Sequence, residues 1–181
     1  MAFKKLREIF LGIMLLSMVS SCGKYAFLKA DELSIPAVPY TGNQLRIDGY
    51  YYQLVDGVLY HVNCFYSNGV LQHLGGYKMS DIKEYERIFT TKEFNEKGKK
   101  SRFFWGAFKI EGSQIRFERW YPSEVPKAYV RAGNILNDTT FTITEIYRMK
   151  DGKKTEVRAE NETYHFRQFS PKPDSTNAFV P

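Results

Sequence analysis

Thr139-Thr140-Phe141-Thr142-Ile143-Thr144-Glu145-Ile146-Tyr147 is the stretch that decides the fold class. Bulky apolar residues alternate with threonine, and β-branched side chains, stiff at χ1, pack well on a pleated surface. The run is bounded by Asn137-Asp138 on one side and Asp151-Gly152 on the other, both turn signals. The same grammar extends outward in both directions. Upstream come Ala128 to Leu136, Gln114 to Tyr121 and Arg102 to Ile110, with Gly112-Ser113 suited to a type II′ hairpin and Pro122 to Pro126 as an interruption. Downstream, Glu162 to Phe169 reads as the last strand. Lys154 to Arg158 is either a short strand of its own or the start of that last one.

Nearer the front, Leu45 to Val55 is stopped by Asp56-Gly57, a strong two-residue hairpin signal. Val58 to Tyr66 then alternates Val58, Tyr60, Val62, Cys64 and Tyr66 against Leu59, His61, Asn63 and Phe65. Ser67-Asn68-Gly69 turns the chain, and Val70 to Leu74 is a third strand ending at Gly75-Gly76. There the period changes. Asp81 with Glu84 three residues on suits a helix start, and Ile82, Tyr85, Ile88 and Phe89 follow at helical spacing. Lys92 to Lys97 adds a further turn before Gly98. The expectation is a mainly β, antiparallel barrel of about eight strands over residues 45–169, with one helix inserted after the third strand.

The first residues follow different rules. Lys4, Lys5 and Arg7 precede a short apolar run, Ile9 to Met18, and Val19-Ser20-Ser21 lead into Cys22. The run is about ten residues, half of the ~20 a membrane-crossing helix needs. A basic head, a short oily middle and small residues before a cut mark a secretory signal peptide. This segment resembles a bacterial lipobox. The resemblance implies cleavage before Cys22, a diacylglycerol thioether on its sulfur and acylation of the new amino terminus. Residues 1–21 would then be a lipoprotein signal peptide and 22–44 a lipidated tether, extended by Pro36 and Pro39. Residues 170–181, with three prolines, read as a flexible tail. Gly23 and Lys24 follow the cysteine without an aspartate or an acidic cluster. In lipoproteins of this kind that implies the outer membrane and its periplasmic face.

Composition bounds the rest. Removing residues 1–21 from the 181 leaves 160, enough for one domain with a real core. The formal net charge of +6 falls to +4 once Lys4, Lys5, Arg7 and Glu8 leave with the leader, too mild a field to suggest a nucleic-acid partner. With Cys22 lipidated, Cys64 is the only other thiol, and its strand context suits a small buried residue. Aromatic residues make up 16% of the chain, with 14 Phe and 13 Tyr against 2 Trp. Their density in neighbouring strands nominates Tyr50, Tyr52, Phe104, Trp105, Phe117 and Trp120 as lining for a ligand cavity or groove.

Chemistry-bearing patterns are sparse. His61, His73 and His165 show no metal-ligand spacing to one another, and no Gly-x-Ser-x-Gly elbow or phosphate-cradling loop occurs. Glu111, Glu118 and Glu145 fall on the polar phase of their strands. No catalytic residue, metal or cofactor is expected. Lys97-Gly98-Lys99-Lys100-Ser101-Arg102 reads as a solvated loop, or as a contact for anionic headgroups.

Leu45 to Tyr52, Phe65 to Gly69 and Trp105 to Ile110 resemble the small lipocalin-like lipoproteins of Bacteroidota. In that comparison Gly49-Tyr50-Tyr51 stands where lipocalins carry Gly-x-Trp, and Arg167 stands for the arginine that packs on the tryptophan. The resemblance implies a non-catalytic, membrane-anchored barrel that binds a small apolar or amphipathic ligand. Two other functions fit the same sequence. One is an assembly module for another envelope protein, marked by a contiguous apolar patch. The other is an enzyme on envelope glycans, marked by two carboxylates sharing a cleft.

Overall fold

The computed structural model describes residues 29–180. Cys22, the signal segment before it and the first part of the tether lie outside them. Eight strands follow one another around a closed antiparallel barrel: β1 (Gly49–Val55), β2 (Val58–Phe65), β3 (Val70–Lys78), β4 (Trp105–Glu111), β5 (Gln114–Tyr121), β6 (Lys127–Asn137), β7 (Thr140–Lys150) and β8 (Lys153–Gln168). Each pairs with its sequence neighbour, and β8 closes onto β1. The expected fold class is thus the one the chain adopts. Lys154 to Arg158 opens β8 rather than forming a separate strand.

The turn chemistry explains the order. Asp56-Gly57 and Asp151-Gly152 have φ of 48° and 74°, and of 50° and 73°. Two successive left-handed residues make a type I′ turn, whose twist matches that of paired strands. β3 runs past Gly75-Gly76 to Lys78, because an irregularity opposite Leu59–Val62 absorbs the glycine pair instead of ending the ladder. The insertion after β3 holds two short helices, α1 (Ile82–Phe89) and α2 (Lys92–Lys99), between 3-10 turns. Asp81 precedes α1 but makes no capping bond with its side chain, whereas Thr91 caps α2 by accepting from the Phe94 amide.

Strand alternation sorts the apolar residues into two buried clusters. Phe65, Leu71, Phe108, Ile115, Phe117, Phe141 and Tyr164 form the inner one. Phe65 of β2 meets Phe117 of β5 at 5.8 Å and Phe141 of β7 at 6.1 Å, ring centre to ring centre, so rings from opposite walls touch. The outer cluster joins Tyr50, Leu59, Cys64, Leu74, Trp105 and Trp120 to residues of the insertion and of both flanking segments. Much of the sheet is therefore buried on both faces.

Those flanking segments are docked. Across one barrel end, the Tyr40 amide donates to Ser67 O (2.8 Å), the Arg46 amide donates to Asp138 O (2.9 Å), and Leu45 is buried beneath. Earlier in the tether, the Ser34 and Ile35 amides donate to Glu118 Oε2 at 2.5 and 2.9 Å. A β-carbon on Gly69 would stand 2.3 Å from Val38 O, so only glycine lets the segment lie that close. At the other terminus Lys172 donates to Ile47 O (2.5 Å) and Phe65 O (2.8 Å), while Val180 is buried. Residues 31–44 and 170–180 thus lie on the barrel, where the sequence suggested an extended tether and a loose tail. Proline content misled here. It lowers the entropy lost on docking as readily as it extends a free chain.

Asp31 anchors the front segment. Arg148 donates to both of its oxygens at 2.6 Å, and the Ala128 amide donates at 3.0 Å. Burial opposes ionisation, but these donors outweigh it and hold the carboxyl below its ordinary value. A depressed folded pKa adds stability above the unfolded pKa of about 3.9, lost as pH falls through the folded value. Asp31→Asn should cost about 1–3 kcal/mol at pH 7. Urea midpoints of the two proteins should converge as pH drops below about 4. A gap that stays constant down to pH 3 would show that the charge is irrelevant.

Candidate functional site

The six nominated aromatics do not share one wall. Phe117 faces the barrel interior and is packed among Phe65, Phe141 and Tyr164, with ring centres 5.8–6.2 Å away. The other five belong to the outer side. Tyr50 Oη donates to Glu86 of α1 at 2.9 Å, and its ring meets Tyr52 and Phe169. Trp105 Nε1 donates to Gly98 O at 2.8 Å. Phe104 lies in the second 3-10 turn against Phe94. Trp120 Nε1 donates to Asp31 O at 2.7 Å. These rings seat the insertion and the front segment, so their density reflects a covered outer face rather than a ligand wall. Arg167, likewise, turns to Glu86 (2.7 Å) instead of packing on Tyr51.

A different constellation occupies the interior beyond the aromatic floor. In β5, Arg119 and Tyr121 continue the inward phase of Ile115 and Phe117. In β6, Arg131 lies opposite Phe117 and shares that phase, as does Glu162 of β8 opposite Ile143. Arg119 and Arg131 are each only 6% exposed, and Glu162 9%. Arg131 pairs with Glu162 through Nη1, donates to Tyr121 Oη at 2.9 Å and reaches His61 Nε2 at 3.4 Å. Tyr164 Oη donates to Glu162 at 3.1 Å. His73 Nδ1 bonds Asn63 Oδ1 at 3.1 Å, and its ring centre lies 6.1 Å from that of His61.

His61 lies at a distortion of β2. Its φ is 50°, and the β2 register shifts between Leu59 and Val62. A left-handed non-glycine residue costs of order 1–3 kcal/mol, and such positions cluster at functional sites. The bulge also sends Leu59 to the outer cluster, away from the phase of Asn63 and Phe65 that simple alternation assigned to it.

The electrostatics are unbalanced. Burial, reinforced by Arg131 and Arg119, pushes the His61 pKa down to about 4, and burial pushes His73 well down too. Both rings are neutral at pH 7. A guanidinium keeps its proton in proteins. Two cations therefore face one carboxylate. Arg131 uses that carboxylate. Arg119 has no carboxylate within ion-pair distance among the described residues. Its partners are neutral: Nη1 donates to Trp120 O at a long 3.4 Å, and the guanidinium lies 3.8 Å over the Tyr121 ring and interacts with that side chain's oxygen.

Comparison with protein-family models, curated proteins and solved structures finds no match to this chain. The site must therefore be read from its own geometry.

Its end of the barrel is the less tightly sewn one. β8 pairs with β1 only from His165 to Gln168, against Gly49 to Tyr52. On that side neither Gln53–Val55 nor residues 153–164 pair with another strand. β3 and β4 pair over three residues, Val70 to Gln72 against Trp105 to Ala107, and β3 runs on to Lys78 without β4 beside it before the helical insertion begins. Leu54, Val55, Tyr60 and Val157 stand exposed at this end. A concavity of about 390 Å³ on the outer face of β5–β7 is lined by Gln114, Arg116, Asn134, Thr144, Glu145 and Lys154. It is polar and open, and none of the nominated aromatics line it. His165 stands apart from the other histidines, its ring 6.2 Å from Tyr52 on the outer side. No group of three metal-ligating side chains forms among the described residues.

Sequence reasoning left out Arg119, Arg131 and Glu162, although a signal was present. Each occupies an inward position in phase with Phe117, Gly133 or Tyr164, where a pure packing core carries an apolar residue.

Proposed function

We propose that this chain is a lipid-anchored, non-catalytic envelope lipoprotein whose barrel holds a small amphipathic ligand at the polar end of its interior. One observation carries the ligand reading: the inner wall changes from a closed aromatic floor to a layer of Arg119, Arg131, Glu162, His61 and His73 where the seam opens. Binding sites for small molecules combine mostly apolar walls with a few placed polar groups. The address rests on the lipobox resemblance at Cys22, with the tether and outer-membrane periplasmic face it implies. Several acyl chains, each buried methylene adding about 0.8 kcal/mol, would make the anchor durable.

A second reading is favoured by the seam itself. Unpaired backbone on β1 and β8 offers an edge to a strand of another envelope protein.

The test has two arms. Cells fed a palmitate analogue should label the wild-type chain and leave Cys22→Ala dark; equal labelling would remove the anchor. Native mass spectrometry of the full Cys22→Ala chain should show a retained small amphiphile. A bare mass that also takes up none from added fatty acids and alcohols would remove the ligand reading and leave strand addition.

A further inference from the structure

We propose that Arg119 is the receptor for a single negative charge, so that the ligand is a carboxylate-headed amphiphile. This inference rests on the ligand-binding reading and narrows its chemistry. Arg119 is nearly inaccessible, aimed along the inward phase of β5, and without a carboxylate among the described residues. Five N–H donors in a fixed fork match a carboxylate's two oxygens. Here its neutral partners are the Trp120 carbonyl, at a long 3.4 Å, and the side chain of Tyr121. Stacking on Tyr121 offsets part of the burial of a cation, since a ring face attracts a guanidinium. It supplies no opposite charge.

The neighbouring groups cannot supply one either. Glu162 is already engaged by Arg131 and by the Tyr164 hydroxyl. Glu118 lies on the opposite face of β5 and accepts from Ser34 and Ile35. Asp31 and Glu156 are held by Arg148. The layer thus carries one positive charge in excess. A monoanion neutralises it, while a dianionic phosphate would leave a buried negative charge uncompensated. Val55 and Tyr60, exposed at the same barrel end and out of phase with the outward Leu54 and Leu59, offer apolar contact to the rest of an amphiphile whose head lies deeper.

The full Cys22→Ala chain should be titrated calorimetrically with octanoate, 1-octanol and octyl phosphate. Octanoate should bind at least tenfold tighter than octanol. Arg119→Met, which keeps length and removes charge, should erase that preference without lowering the melting temperature, because it removes an unpaired buried cation. Arg116→Met, on the exposed outer face, should leave the preference intact. A preference that survives Arg119→Met overturns the proposal, as does a lowered melting temperature in that variant, which would mark Arg119 as structural. Tighter binding of octyl phosphate overturns the single-charge assignment. If all three probes fail to bind, the ligand reading itself falls; equal binding of octanoate and octanol spares that reading and removes only the anion.

Discussion

Glu162→Gln should lower the unfolding free energy by about 3–5 kcal/mol, the range for breaking a buried ion pair by removing one partner. Among the described residues Glu162 is the carboxylate that pairs with an inner arginine, Arg131, and its oxygen is shared by Arg131 and the Tyr164 hydroxyl. Glutamine preserves volume and an acceptor oxygen but leaves two guanidinium charges buried with no anion. The loss is one of charge balance, so it should be largely recovered when the second charge is also removed. Arg131→Met with Glu162→Gln should come within about 1–2 kcal/mol of wild type, since replacing both partners of a buried pair is often nearly neutral. Urea unfolding of the two single variants and the double variant measures this directly. Additive losses would show that Glu162 stabilises the barrel by something other than neutralising Arg131.

The contrast between fold and site shows what strand alternation can and cannot carry. Thr139 to Tyr147 fixes its own structure because each choice in it, β-branched residues, period two and bounding turns, agrees. Asp56-Gly57 and Asp151-Gly152 did the same for their hairpins, through a φ requirement that few other pairs meet. Alternation assigns residues to two faces but cannot say which face is inner when both are covered. Trp105 and Trp120 are as buried on the outside as Phe108 and Phe117 are inside, so aromatic density pointed to the wrong face. The docking of residues 31–44 was hidden for a related reason. Its energetics come from Glu118 and Arg148, more than eighty positions away. Alternation put His61 on the face of Asn63 and Phe65, but it gave Leu59 that face too, because the bulge between Leu59 and Val62 is a local departure from period two that a periodic reading smooths over. What remained legible was a mismatch. Arg119 and Arg131 continue rows that begin apolar, and that break in phase can be seen without the structure.

Phe65→Ala should cost about 3–5 kcal/mol, toward the upper end of that range for a buried phenylalanine. Phe65 is 1% exposed, and its ring meets Phe108 at 4.9 Å, Tyr51 at 5.6 Å, Phe117 at 5.8 Å and Phe141 at 6.1 Å. Those partners come from β4, β1, β5 and β7, so the ring spans the barrel rather than bridging adjacent strands. The size of the loss depends on how far the surroundings can close over the missing ring. In a helix pair one element can slide inward, but a closed sheet resists shrinking because each strand is hydrogen-bonded on both sides. The cavity should therefore persist, and with it the part of the penalty that scales with cavity volume. Phe65→Leu, which keeps most of the volume, should lose less than about 1.5 kcal/mol. Chemical denaturation of the two variants separates the contributions. A loss below about 1.5 kcal/mol for the alanine variant would mean that the floor collapses. A floor that collapses could not hold Asn63, two residues along the same strand, in register with His73. The polar layer would then have no rigid base from which to meet a ligand.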